Sequence, residues 1–555
     1  MPRPRNRPPR RVRSAARGRV VTRSARADRR RPHRRRAFAL GVLLAALAIV
    51  LGFGTWAYAK RPASVRISAT PTDAVVRFDS LSATGTLRAE DLEPGTYPVQ
   101  VERRGFESVQ TSVTLDRGDR ATLTYDLEPA DIQLALDVRP KEAIYRIVRS
   151  DGRTVTGAGP FEGTVPAGKT VVVCTAPGCR PVERTLFVDE PVSLTEWLDP
   201  KGQLVSKVGL FKCVPAPKGV AITPDGTQAW VTALVTQPSI AAYDPRTGRI
   251  LGEVDLGRNG AVEVIFSKDG RRAYASQMQS ASVFEIDTRS FEVLRTFKTG
   301  SSWTKVVVLS PDGQRLYAAN WCGDDVSEID LRSGKLLRRM KTVDTPRGLW
   351  PTADGTRLFV AGFGENSHVG RIAVIDLATG KSRTLFEKRG GAMRHMVADE
   401  RRGLLFTSDL GKDCVWVTDM QDLKTRTFVA TDHKPNTIDI SPDGKVLFVS
   451  CRGANNPKSY NLRGPEWGTA LLFDTTTAKP LDAIVGGNQC TALDLSDDGT
   501  LLVFSDFLDA RLRAYEVPPY DVLARGNGGR YKAHLAEVVK PEWAGWKGPS
   551  GSVSD

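Results

Sequence analysis

A period near 43 residues runs from residue 203 to residue 518 and constrains this 555-residue chain more than any other feature. Its unit is an apolar strand, a turn of Ser-Pro-Asp-Gly type and a second apolar strand. The copies read ITPDGTQAWVT, FSKDGRRAYAS, LSPDGQRLYAA, PTADGTRLFVA, VADERRGLLFTS, ISPDGKVLFVS and LSDDGTLLVFS. The turn aspartates are Asp225, Asp269, Asp312, Asp354, Asp443 and Asp498; the fifth copy, around Asp399 to Gly403, keeps both strands and loses the motif. Asp-Gly fixes a hairpin because glycine accepts positive φ cheaply. Each unit continues with a third strand ending in Asp, then a fourth, as in SIAAYDPRTGRILGEV. Seven units of four strands predict a seven-bladed β-propeller. The last unit stops after its third strand, RLRAYEV, and a spare strand at 203–211 precedes the first. The final blade is therefore expected to join three C-terminal strands to one N-terminal strand, which removes the open edges.

The formal charge of +16 does not belong to this body. Residues 1–36 hold sixteen arginines against one acid, Asp28, while the other 519 residues carry 63 basic and 62 acidic side chains. A folded nucleic-acid module keeps its basic patch on the body, so no nucleic-acid partner is expected. The Arg- and Pro-rich tail has almost no apolar periodicity and reads as disordered. Residues 37–59 follow without a charge, 23 residues ending in Trp56 and Tyr58, long enough to span a bilayer as a helix. Arg34, Arg35 and Arg36 abut the run and place the tail in the cytoplasm. The expectation is a single-pass anchor in a bacterial inner membrane, with everything after Arg61 exported. A cleaved signal peptide ending at Ala57-Tyr58-Ala59 is the rival.

Between the anchor and the repeats, residues 63–129 alternate apolar and polar in short strands separated by turn residues, the pattern of an antiparallel sandwich. Residues 131–199 repeat it: an offset of 73 carries Gly95 to Gly168, Gly105 to Gly178, Val101 to Cys174 and Phe106 to Cys179. A strand followed by a short turn can bring such positions together, so Cys174 and Cys179 are expected to form a disulfide in an oxidising compartment. The fold class is thus all-β after the transmembrane helix: two small sandwiches, a propeller at 203–518 and an unassigned tail at 519–555.

The first sandwich resembles the PEGA domain family. Pro71-Thr72-Asp73-Ala74 stands at the signature, Leu92-Glu93-Pro94-Gly95-Thr96-Tyr97 at the "L-x-P-G-x-Y" turn, and Gly105-Phe106 at the later Gly-aromatic pair. The second sandwich looks like a diverged copy, with Pro140-Lys141-Glu142-Ala143 and Val165-Pro166-Ala167-Gly168. The repeats resemble the YVTN-type bacterial propellers. These resemblances imply an exported envelope protein, with a cell-wall or surface-layer role for the PEGA-like part, and they supply no catalytic residue.

The first strand of a blade lines the channel, so the residue just before it sits on the channel rim. Counting seven residues back from each turn Asp, or its aligned position, gives Lys218, Val262, Lys305, Arg347, Arg394, Asn436 and Thr491. Four of the seven are basic on a body of nearly zero net charge, and His395 adjoins Arg394. These cations are expected either to bind an anion or to be solvated or paired with Glu263, Asp409 and Asp506. About eleven extra residues after the second strand of blade six, in CRGANNPKSYNLRGPEWGT, put Tyr460, Arg463, Glu466 and Trp467 on the same face, either as a cover for the mouth or as a tolerated loop.

No Cys-x-x-Cys-His, credible metal spacing or Gly-x-Ser-x-Gly elbow is present, so no metal, cofactor or catalytic residue is assigned. The expected function is a membrane-anchored, non-catalytic binding protein whose propeller takes an anionic envelope ligand, a cell-wall polymer or a partner protein. A lactonase-like hydrolase with His395 as base and a structural envelope scaffold are the alternatives. Cys451 and Cys490 flank the same rim and form a candidate pair.

Overall fold

In a computed structural model the described residues are 61–526 and 528–543. The expected cytoplasmic tail and transmembrane run, and the last twelve residues, lie outside them. Among the described residues no helix is long and apolar enough to cross a membrane. The chain divides into two compact units, the first holding the small sandwiches and the second the propeller.

Each small domain is a seven-stranded sandwich of the same topology. In the first, β1 (Ala63–Thr70) lies between β4 (Thr86–Leu92) and β7 (Arg120–Asp126), facing a sheet ordered β3 (Leu81–Thr84), β2 (Val75–Phe78), β5 (Gly95–Glu102), β6 (Val109–Leu115). The second repeats this with β8 (Asp131–Arg139) between β11 (Phe161–Pro166) and β14 (Val192–Trp197), and the order β10 (Thr154–Ala158), β9 (Ile144–Val148), β12 (Gly168–Thr175), β13 (Val182–Val188). The expectation of a purely antiparallel sandwich is corrected at one edge: β1 pairs with β7 in parallel, because the last strand crosses over to rejoin the first. The Tyr97 hydroxyl closes its own turn by donating to the Glu93 carbonyl at 2.6 Å.

The expected disulfide is absent. Cys174 takes the core place that Val101 holds in the first domain; both are 0% exposed. On β12 it pairs with Val182 and Tyr145. Cys179 instead makes a β-bridge with Pro200, as Phe106 does with Pro129. The two cysteines substitute for two separate apolar residues, not for a crosslink. Burial pushes the Cys174 thiol up to about 11.

The propeller has seven four-stranded blades. Blades one to six follow the chain, from β16–β19 (Pro217–Ile222, Ala229–Ala233, Ile240–Tyr243, Ile250–Val254) to β36–β39 (Pro435–Ile440, Val446–Cys451, Thr469–Asp474, Pro480–Val485). The seventh joins β40 (Cys490–Leu495), β41 (Leu501–Asp506) and β42 (Arg511–Glu516) to the early strand β15 (Ser206–Lys212), which pairs antiparallel with β42 as the incomplete last repeat requires. The turn motif has a physical basis. A Ser or Thr hydroxyl donates to the turn Asp two residues later, as in Thr352 to Asp354 at 2.6 Å and Ser441 to Asp443 at 2.6 Å. The following Gly residues stand at φ between +68° and +74°, from Gly355 to Gly499. Five residues past the turn, Trp230, Tyr274, Tyr317, Phe359, Phe406 and Phe448 occupy one repeated buried place in blades one to six.

Residues after 518, left unassigned from the sequence, form α1 (Tyr520–Arg525), α2 (Gly529–His534) and a short 3-10 turn at Pro541–Trp543. The segment docks on blade six. His534, fully buried, is 2.9 Å from Asp432 through Nε2, and Val539 bridges to Glu466. No pattern announced it because its contacts are individual.

Ring closure depends on Asp482 of β39. Its fully buried carboxylate accepts the Leu204 and Val205 amides at 2.6 and 3.0 Å, just before β15. Asp482→Ala leaves these donors without a partner. It is expected to lower unfolding free energy in urea by about 2–5 kcal/mol, since each buried unsatisfied donor costs roughly 1–3 kcal/mol.

Candidate anion-binding site at the channel mouth

Hydroxyls at the end of the second strand fix the backbone of the rim. Thr232 donates to the Val262 carbonyl at 3.1 Å, Ser276 to that of Lys305 at 2.5 Å, Ser408 to that of Asn436 at 2.7 Å and Ser450 to that of Thr491 at 3.2 Å. Each bond runs from one blade to the rim residue of the next. Two residues before several rim positions the backbone is left-handed, at Ala216, Trp303, Thr345, Lys434 and Gln489.

The four basic rim residues converge. Lys305 Nζ lies 3.3 Å from the centroid of the Trp321 ring, and Arg347 Cζ lies 5.7 Å from the same ring. Trp321 packs on Phe363 with centroids 4.9 Å apart, and Arg394 Cζ is 6.0 Å from Phe363. Lys218 Nζ lies 5.3 Å from the Phe507 ring. A fifth cation joins them: Arg452 sits 6.0 Å from the Tyr460 ring and donates to Gln489. Arg347 and Arg394 are each only 7% exposed. Among the described residues the side chains of Lys218, Lys305, Arg347 and Arg394 make no ion pair or hydrogen bond, and the Arg394 Nε is buried without a partner. Cation–π contacts of this kind contribute on the order of 0.5–2 kcal/mol, well short of what a buried charge loses in hydration.

Two of the three expected carboxylate partners are engaged elsewhere. Asp409 accepts from the Ala392 amide and Trp416 Nε1, and Asp506 from Arg513 and the Gly487 amide. Glu263 lies within the field of Arg347, Lys218 and Arg394, and burial holds its carboxyl up to about 7 despite them; Glu365 lies within that of Lys305. Burial and the neighbouring Arg347 and Arg394 push Lys305 down to about 6. Burial and four like charges hold Lys218 well below the usual lysine range. The arginines stay charged because guanidinium cannot be deprotonated in proteins.

The other candidates divide. Asn436 is buried and donates to the Thr491 carbonyl, so it joins blades six and seven. His395 rests on the Ile438 carbonyl at 3.0 Å, and burial pushes it down to about 4. It lines a cavity of about 590 Å³ with Glu263 and Trp350 that opens at the opposite mouth, among the Asp-Gly turns. Tyr460 is exposed, with its carbonyl accepting from Gln489. Arg463 is tied to Asp509 at 3.1 Å. Trp467 does not cover the mouth: its ring lies 4.6 Å from Lys540, and its amide donates to Val538 of the C-terminal segment. Cys451 and Cys490 are not linked; the Cys490 thiol donates to Asp506 at 3.2 Å. Trp321, Phe363, Arg452 and Phe507 were missed from the sequence. They occupy one repeated place, nine residues beyond the turn Asp, so a forward count would have found them.

Residues 63–131 match the PEGA domain family, and residues 264–524 match the family described as Lactonase, 7-bladed beta-propeller. The chain thus carries PEGA-like sandwiches followed by a seven-bladed propeller. It is 37% identical over 179 residues to Antigen Lp49 of Leptospira interrogans serogroup Icterohaemorrhagiae serovar copenhageni (strain Fiocruz L1-130). That alignment covers 31% of this chain and 39% of the antigen. A solved chain of Kuenenia stuttgartiensis hydrazine synthase aligns at 18% identity with a TM-score of 0.48, covering 55% of this chain and 96% of that one.

Lys305 makes the mouth a pH-dependent load on stability. Its ordinary value of 10.5, which the unfolded chain keeps, is pushed down to about 6 in the folded protein. Between these values the unfolded chain binds more protons, so this residue makes stability rise with pH. Lys305→Met is expected to flatten the rise of the urea midpoint between pH 6.5 and 9. Parallel slopes for the variant and the natural protein would contradict the assignment.

Proposed function

We propose that the propeller is the recognition head of an exported, membrane-anchored binding protein, and that its channel mouth takes an anionic ligand. The observation that carries this reading is the set of Lys218, Lys305, Arg347 and Arg394, gathered at one mouth without a hydrogen-bonded or ion-paired partner among the described residues. Cations around a concave, low-dielectric mouth concentrate anions more strongly than the same charges on a convex surface. Arg347 and Arg394 each offer a planar fork to a carboxylate, phosphate or sulfate, and the lysines become point charges when a bound anion favours their protonated form. The export topology is supported by the sixteen arginines preceding an uncharged run of 23 residues. An envelope setting is supported by the PEGA match and by the similarity to a protein named as an antigen. A cell-wall polymer or an envelope protein is the partner class proposed.

A second reading, acid–base opening of a lactone, is favoured by the lactonase match and by Glu263, whose carboxyl sits near 7 within reach of the cations' field. Turnover of carboxyl-bearing lactones, lost in Glu263→Gln while citrate binding persists, would establish it.

The binding reading is tested with citrate by calorimetry. Arg347→Ala combined with Arg394→Ala is expected to weaken binding by about 3 kcal/mol, roughly 150-fold, because charge-assisted hydrogen bonds contribute about 1.5–3 kcal/mol each. Binding is expected to take up protons, since an anion favours the charged form of Lys305, so affinity falls as pH rises above about 6. Unchanged citrate affinity in the double variant would remove the site.

A further inference from the structure

We infer that the occupant of this mouth is a protein: one that inserts a protruding acidic loop into the cationic recess and rests apolar side chains on the surrounding rim. This deepens the binding reading above and rests on it. Four large apolar side chains stand exposed on the mouth face: Val235 at 58%, Trp303 at 45%, Tyr460 at 57% and Leu462 at 48%. They come from three blades, and each is joined to the cationic recess by short links. Val235 adjoins Leu234, whose amide donates to Ala216, two residues before Lys218. Trp303 precedes Lys305 by two residues, and its carbonyl accepts the amide of Trp321, the ring under Lys305 and Arg347. Tyr460 and Leu462 belong to the blade-six insert, which Gln489 ties to Arg452.

Blades one, three and six lie far apart around a seven-fold ring. A small ligand centred in the recess cannot touch all three positions, whereas a protein face can. A flat anionic membrane is disfavoured for a different reason. Arg347 and Arg394, at 7% exposure, are recessed, and a planar layer of headgroups would meet the exposed apolar side chains before it reached them. Buried arginines beside aromatic rings are the residue types found at energetically dominant positions of protein interfaces.

The test uses the full chain in detergent and three probes: 15-residue peptides with a Glu-Asp-Glu core, citrate, and phosphatidylglycerol vesicles. Peptides whose acidic core is flanked on both sides by Trp and Leu are expected to bind at least about tenfold tighter than the same core flanked by Gly and Ser. Trp303→Ser with Leu462→Ser should erase that advantage and leave citrate binding intact; both substitutions are at exposed positions and spare the core. Arg347→Ala with Arg394→Ala should weaken binding of every acidic probe, citrate included, by roughly 150-fold. Equal binding of the two peptide sets, with citrate still dependent on the arginines, overturns this inference and leaves the anion site standing. Vesicle binding that requires Trp303 and Leu462 and exceeds peptide binding overturns it in favour of a membrane surface. Failure of citrate and of all peptides to depend on Arg347 and Arg394 overturns the anion site itself.

Discussion

The blade-to-blade contact governs this propeller. In blades one, two, five and six a hydroxyl donates to the rim carbonyl of the next blade, as Ser276 does to Lys305 and Ser408 to Asn436. Carboxylates at the other end of the inner strands do the same: Asp439 accepts the Leu495 amide at 2.9 Å and Asp494 the Ile222 amide at 2.6 Å. The ring closes only because β42 finds β15, more than 290 residues earlier in the chain, with Asp482 clasping its approach. A ring fastened in this way can hold side chains in places they would not choose. At Lys305 the rim backbone is held by a hydroxyl of the preceding blade and not by its own side chain, so the ammonium is presented to its neighbours without its own attraction positioning it.

The electrostatic cost of the mouth follows. Five basic side chains gather where few carboxyls offset them: Glu263, whose own burial keeps it near 7, acts on three, and Glu365 acts on Lys305. Lys305 relieves part of the strain by lying at about 6. The aromatic faces of Trp321, Phe363 and Phe507 lie against Lys305, Arg347, Arg394 and Lys218, and those contacts are weak beside lost hydration. An arrangement of this kind costs stability unless an anion completes it.

The repeat, the seven blades and the mixed final blade were legible because each depends on local chemistry: a hydroxyl–Asp–Gly turn and period-two strands. The rim cations were legible by the same counting. The aromatic floor was not, because the place nine residues past the turn holds Leu, Met, Trp, Phe and Arg in different blades and so carries no shared chemistry, although Trp321 and Phe363 stand at a regular offset. The small domains announced their repetition through offset 73, but offset alone could not tell a crosslink from two cysteines filling the separate places of Val101 and Phe106. Trp467 and the C-terminal helices were beyond reach for another reason. Their positions follow from individual contacts, Lys540 against Trp467 and His534 against Asp432, that no periodicity encodes.

The central claim is that the mouth holds a set of cations awaiting an anion. Anomalous diffraction from crystals soaked in selenate tests it most directly. The account predicts a selenium peak within hydrogen-bonding distance of Arg347 and Arg394, with Lys305 turned toward it. A mouth without a peak, with these heads paired instead to Glu263 or to other carboxylates of the chain, would contradict it.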